Sequence, residues 1–170
     1  MFWNLFNIFL KKRFKNIITF EPNPKSFEKL KKNFKLNNVK CDNLYNLGIS
    51  NSKKKLHFEN NATNVGSSKI ISKNESQLND SIMINVDTLD NLLKNIDSSK
   101  ISFIKIDVEG QELEVIEGAL NIVKNVKKNT SIAIEIWKES KSFKKINQIF
   151  KENNFILRDY FGDNYLYIKK

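Results

Sequence analysis

Short apolar runs alternate along the chain with stretches whose apolar residues recur every three or four positions. Ile101, Phe103, Ile104, Ile106 and Val108 form the densest run, with Lys105 as its only interior charge. A β-branched run of that length predicts a strand buried on both faces. It passes through Asp107, Glu109 and Gly110, and Leu113, Ile116, Leu120 and Val123 then continue at helical spacing. Upstream, Asn16–Phe20 predicts a buried strand stopped by Glu21-Pro22-Asn23-Pro24. Ser26–Leu36 predicts a helix with Phe27, Leu30 and Phe34 on one face, ended by Asn37-Asn38. Val39–Ile49 contains a further strand, Lys54–Phe58 a short edge strand, and Ile82–Val86 another. Asp87 or Thr88 caps a helix running through Leu93. Ser131–Trp137 is a second buried strand, interrupted by Glu135, and Phe143, Ile146, Ile149 and Phe150 mark a last amphipathic helix. Phe155–Leu157 and Tyr165–Ile168 flank Gly162-Asp163-Asn164 as a closing hairpin. This alternation of strands and helices predicts an α/β fold.

Composition narrows the picture only modestly. At 170 residues and 40% hydrophobic content the chain has enough apolar mass for one domain over residues 1–170. The net charge of +10 is carried almost wholly by lysine, with Arg13 and Arg158 the only arginines. A nucleic-acid surface concentrates arginine and interleaves aromatics, so a solvated lysine-rich surface is expected instead. The single Cys41 leaves no intramolecular disulfide, which points to a reducing, cytoplasmic setting. Residues 1–15 stand apart as an apolar segment followed by Lys11, Lys12 and Arg13. The apolar part is too short to span a bilayer. It reads as a core helix, with a membrane-surface helix as the alternative.

Chemistry concentrates at strand ends, where open α/β sheets place their sites. Asp107 and Glu109 are two residues apart and on an extended chain share one side. Such a pair can position a hydroxyl and accept its proton. The alternative is that Glu109 and Glu112 only stabilise a helix N-terminus. Glu21 ends its strand where a carboxylate can accept from both hydroxyls of a ribose, or can cap the helix beginning near Pro24. Lys105 and Glu135 are charges inside apolar strands, to be paired with one another or used to orient a substrate. His57 has no partner at metal-ligand spacing, and no metal site is expected.

Three segments carry a resemblance to a known family. KIDVEGQELEVIEGA at Lys105–Ala119 closely resembles the hallmark segment of the FkbM-type S-adenosylmethionine-dependent methyltransferases. ITFEPNPKSFEKLKKNF at Ile18–Phe34 resembles that family's second strand and following helix. NVDTLDNLL at Asn85–Leu93 is similar to the piece preceding the hallmark strand. The resemblance implies a Rossmann-like methyltransferase sheet, mostly parallel, with one antiparallel strand near its C-terminal edge. It implies S-adenosylmethionine as cofactor, with Glu21 on the ribose and Asn23 nearby; their strand-end position makes Asp107 and Glu109 the candidate catalytic residues. Lys105, Glu135 and Ser67 would bind substrate, Ser67 from a polar segment, Asn64–Ser68, common in the family. The acceptor would be a hydroxyl of a sugar, glycolipid or small metabolite.

The family's Gly-rich Asp-Ile-Gly-Ala-Asn-x-Gly turn has no counterpart before Asn16, where no glycine stands. The expected fold is therefore N-terminally truncated, with its first strand missing. The Asn16–Phe20 and Ile101–Val108 strands should then pair directly, and the chain should self-associate through any edge left open. The expected function is that of a methyltransferase or an inactive remnant of one. The alternative is a non-catalytic α/β binding module, held at a membrane through residues 1–13.

Overall fold

A computed structural model describes residues 14–38, 43–59, 70–71 and 81–170. Met1–Leu10, Cys41 and Ser67 lie outside the described residues. Backbone contacts divide the chain into two compact units, Met1–Gly48 with Lys54–Val86, and Ile49–Lys53 with Asp87–Lys170.

In the first unit, β1 (Thr19–Phe20) leads into α1 (Pro24–Leu36). The helix starts where Asn23 Oδ1 accepts from the N–H groups of Lys25 and Ser26, at 2.9 and 3.3 Å. Pro24 suits a first-turn position because its missing N–H would have had no helical partner. The helix ends at Asn37, followed by Asn38 in the left-handed region at φ 54°. Its apolar stripe buries Leu30 and Phe34 against Leu44. β2 (Leu44–Tyr45) pairs parallel with β1, and the Phe20 and Tyr45 rings stack at 5.3 Å.

β3 (Gly48–Ile49), β4 (Lys54–Glu59), β5 (Ile70–Ile71) and β6 (Ser81–Asp87) form a sheet in the order β3-β6-β4-β5. Its core is Phe58, Ile84 and Val86. The Lys54–Phe58 segment is therefore not an edge strand. It runs antiparallel between β6 and the two residues of β5, a pairing its weak alternation did not announce.

The second unit begins its regular structure with α2 (Leu89–Leu92), capped by Thr88 Oγ1 on Asn91 N–H at 3.1 Å. β7 (Phe103–Ile106), α3 (Glu112–Glu117), α4 (Leu120–Asn125), β8 (Ser131–Glu135), α5 (Lys141–Glu152), β9 (Phe155–Phe161) and β10 (Asn164–Lys169) follow. Their sheet has the order β7-β8-β10-β9. Val115, Ile116, Ile122, Val123, Ile132, Ile134, Ile146, Phe150 and Tyr167 fill the core.

Two expectations need correction here. Among the described residues β1 pairs with β2 and β7 with β8, so the direct pairing of the Asn16–Phe20 and Ile101–Val108 strands is not made. The sheets are also mixed rather than mostly parallel. β1–β2 and β7–β8 are parallel, whereas β4–β5, β4–β6, β8–β10 and β9–β10 are antiparallel. A tight Gly162-Asp163 connection forces β9 and β10 antiparallel, and Gly162 supplies the φ of 57° that the turn needs.

The single helix expected after the hallmark strand is two. Gly118 and Ala119 separate α3 from α4, and the Gly118 carbonyl accepts from Asp90 N–H at 3.0 Å. The break shifts the helical phase, so Leu120, placed on the buried stripe by spacing, is 44% exposed while Ala119 and Ile122 are buried.

Candidate active site

β7 delivers the hallmark acids. Beyond Ile106 the chain leaves the strand, and Glu109 and Gly110 take positive φ of 50° and 96°. A positive φ is strained for glutamate and natural for glycine, and non-glycine residues held there cluster at functional sites. The turn, not an extended chain, brings Asp107 and Glu109 together.

Glu112 holds this turn in place. It is 6% exposed, and its Oε1 accepts from Gly110 N–H at 2.7 Å. Asp107, Glu109, Gly110, Glu112, Glu135, Trp137, Ser140 and Ser142 line one cleft. Four carboxylates therefore face a common space at the end of β7 and β8. Burial pushes the Glu109, Glu112 and Glu135 carboxyls up, and the charge of Asp107 pushes each further in the same direction. The Asp107 side chain beside it raises Glu135 further, and the Lys105 charge pulls it back down. Lys105 Nζ stands 3.6 Å from Asp107 Oδ2 and 3.3 Å from Asn164 Oδ1. Lys105 and Glu135 thus share one electrostatic cluster, centred on Asp107. The Ser140 Oγ, shut off from solvent, has no hydrogen-bond partner among the described residues.

Glu21 and Asn23 lie at the end of β1. Glu21 N–H donates to Tyr45 O at 3.1 Å, and Asn46 Nδ2 donates to the Glu21 and Pro22 carbonyls at 2.8 and 3.2 Å. Glu21 is not a helix cap. Asn23, 2% exposed, caps α1, and its own N–H donates to Glu21 Oε1 at 2.8 Å. Burial raises the Glu21 carboxyl above its ordinary range, and the Asn23 N–H offsets this only partly. Asn23 therefore fixes both the helix start and one oxygen of Glu21.

Spacing alone did not reveal Glu112, Trp137, Ser140, Ser142 or Asn164 as members of the site. Glu112 carried one readable signal, an acid just before an apolar helical stripe. The others come from the β8–α5 connection, α5 and β10, whose placement no local pattern encodes. Ser67 lies outside the described residues. Among the described residues no group of three or more His, Cys, Asp or Glu side chains is arranged to hold a metal ion. No helix among them is long and apolar enough to cross a membrane.

Comparison with known proteins gives the arrangement a context. The methyltransferase FkbM domain matches residues 2–157. A crystal structure of methyltransferase FkbM from Methylobacillus flagellatus KT shares the α/β fold, with a TM-score of 0.58 and 16% identity over 88% of this chain. The chain spans about a third of that protein's length, 35%. No curated protein matches it. With nine-tenths of its length inside the domain, the chain belongs to the FkbM methyltransferase family.

Proposed function

We propose that the chain works as an S-adenosylmethionine-dependent O-methyltransferase on a hydroxyl of a sugar, glycolipid or small metabolite, on a Rossmann-like sheet. One observation carries the reading. The turn after β7, which bears the family's hallmark residues, sets Asp107 into a cleft with Glu109, Glu112 and Glu135.

Glu21 suits the ribose of such a cofactor. It ends a strand, it is half-buried, and Asn23 holds one of its oxygens, leaving Oε2 without a hydrogen bond among the described residues. When bound, the cofactor supplies an electrophilic methyl group on a sulfonium. In the cleft, Asp107 accepts the proton of the acceptor hydroxyl, steadied by Lys105 and Asn164. Glu135, which lines the same cleft as Asp107, orients the hydroxyl. Glu112 keeps the turn in the shape that aims both acids inward.

Calorimetry with S-adenosylhomocysteine tests the assignment. A charge-assisted hydrogen bond is worth about 1.5–3 kcal/mol, so Glu21→Ala should weaken binding by about tenfold or more. Equal affinity in the parent and Glu21→Ala removes Glu21 from the cofactor site.

A further inference from the structure

The sheet of the second unit sets Glu135, Asn164 and Phe161 side by side. Glu135 is opposite Asn164 across β8 and β10, and Asn164 is opposite Phe161 across β10 and β9. Residues directly opposed on neighbouring strands project from the same face of a sheet. Lys105 bonds Asn164 and pairs with Asp107, so the row continues to β7. It begins in carboxylates and ends on a phenylalanine that is 88% exposed. Trp137, which lines the acidic cleft, is 60% exposed. Ile136 N–H donates to Asp163 O at 2.8 Å, which ties the backbone before Trp137 to the turn after Phe161. Two large apolar side chains are thus left bare beside a polar cleft, on elements bonded to one another.

We propose that the acceptor is an amphiphile. Its hydroxylated head sits at Asp107 and Glu135, and its apolar body lies over Asn164 against Phe161, with Trp137 as the second wall. This rests on the methyltransferase reading and names its substrate class. A hydroxyl needs the carboxylates and has no use for Phe161. An apolar chain attached to that hydroxyl reaches Phe161 along the row and removes its ring from water, which is favourable in proportion to the area covered. A second copy of the chain is the poorer occupant. Two-fold antiparallel pairing of β9 centred on Arg158 or on Asp159 sets that residue against its own charge. The β9–β10 ladder is also irregular at that point, a feature that discourages edge pairing.

Trp3 and Trp137 are the two tryptophans, so a Trp3→Phe background leaves Trp137 as the reporter. Its fluorescence is titrated with octyl glucoside, below micelle formation, and with methyl glucoside. Octyl glucoside should bind at least about tenfold more tightly, in line with burial of a large apolar group. Phe161→Ser should remove most of that preference. Tyr160→Ser is the control, because Tyr160 is 67% exposed but opposes Tyr165 on the other face, and it should leave the preference intact. Equal affinity for the two glycosides overturns the proposal, as does an equal loss in Tyr160→Ser and Phe161→Ser. So does a Phe161→Ser variant that alters only sedimentation, since the residue would then serve self-association. S-adenosylhomocysteine calorimetry reads the cofactor separately. A chain that binds it but shows no alkyl preference overturns this proposal alone.

Discussion

Gly118 is a glycine because of a carbonyl sixty-eight residues earlier in the chain. A Cβ there would stand 2.0 Å from Ser50 O, and the backbone, unlike a flexible side chain, cannot step aside. Gly118→Ala should therefore cost about 1–3 kcal/mol, as overpacking does. Urea unfolding should show a lower midpoint at an unchanged slope, and an unchanged midpoint would mean that the Ser50 backbone yields freely. Asp107→Asn makes the complementary test of chemistry. It keeps size and hydrogen bonding but loses the base, so turnover should fall by about two to four orders of magnitude while cofactor affinity holds. Near-normal turnover removes Asp107 from the mechanism. The sequence marked Asp107, through a buried strand ending in acids, while Gly118 carried no local signal. It could not give the reason for either. Asp107 meets Glu135 and Lys105 by strand register, Gly118 meets Ser50 by tertiary packing, and Glu109 turns left-handed where an extended chain was assumed. Asn23, a candidate cofactor contact by resemblance, also caps α1, the commonest use of an asparagine just before a helix.

The helix α4 has six residues, too few to hold itself in water. Distant charges secure both ends. At the N-terminus Asp90 accepts from the N–H groups of Asn121 and Ile122, each at 2.9 Å. At the C-terminus the buried Lys169 donates to the carbonyls of Val123 and Lys124, both at 3.0 Å, and lies 5.1 Å from the Phe155 ring centroid. Each charge complements the end of the macrodipole it meets. Asp90→Ala removes the acceptor for two N–H groups, and should cost about 0.5–2 kcal/mol, the range for lost helix caps. Hydrogen exchange should quicken at Asn121 and Ile122 before it does in β8, and uniform protection would deny Asp90 that role. Elements whose caps are local were readable, as with Thr88 for α2 and the asparagines around α1. The α3–α4 break was not, because it depends on Asp90 and Lys169, remote in sequence. A continuous apolar spacing across Gly118 reads as one helix until those partners are known.

At the scale of the whole molecule, the alternation of strands and helices was legible as an α/β fold. The balance of parallel and antiparallel pairs was not, since strand direction follows from connections rather than from apolar pattern. The division at Gly48, Lys53 and Val86 has no linker to announce it. Charge adds a contrast the composition hides. A chain of net charge +10 gathers four carboxylates in one cleft. Glu109, Glu112 and Glu135 all have folded-state carboxyls above the ordinary value of 4.5, first through burial and then through their neighbours' charge. The folded state therefore keeps protons that the unfolded chain has already released, so these groups lower stability as pH rises from about 4.5 through their folded values. Glu117 has the opposite sign. Its hydrogen bonds from Lys145 and Asn51 lower its carboxyl, so its contribution is present above 4.5 and is lost as acid protonates it. Glu135→Gln separates the two. It removes one ionisation from the cleft, keeps the side chain's size and leaves the Lys105–Asp107 pair in place. The variant should melt higher than the parent at pH 7 and the gain should vanish near pH 4, where the parent's Glu135 is protonated and resembles glutamine. Thermal melts from pH 4 to 7 read the difference. A gain of equal size at both ends of the range would assign it to packing, and the carboxylate cluster would no longer account for it.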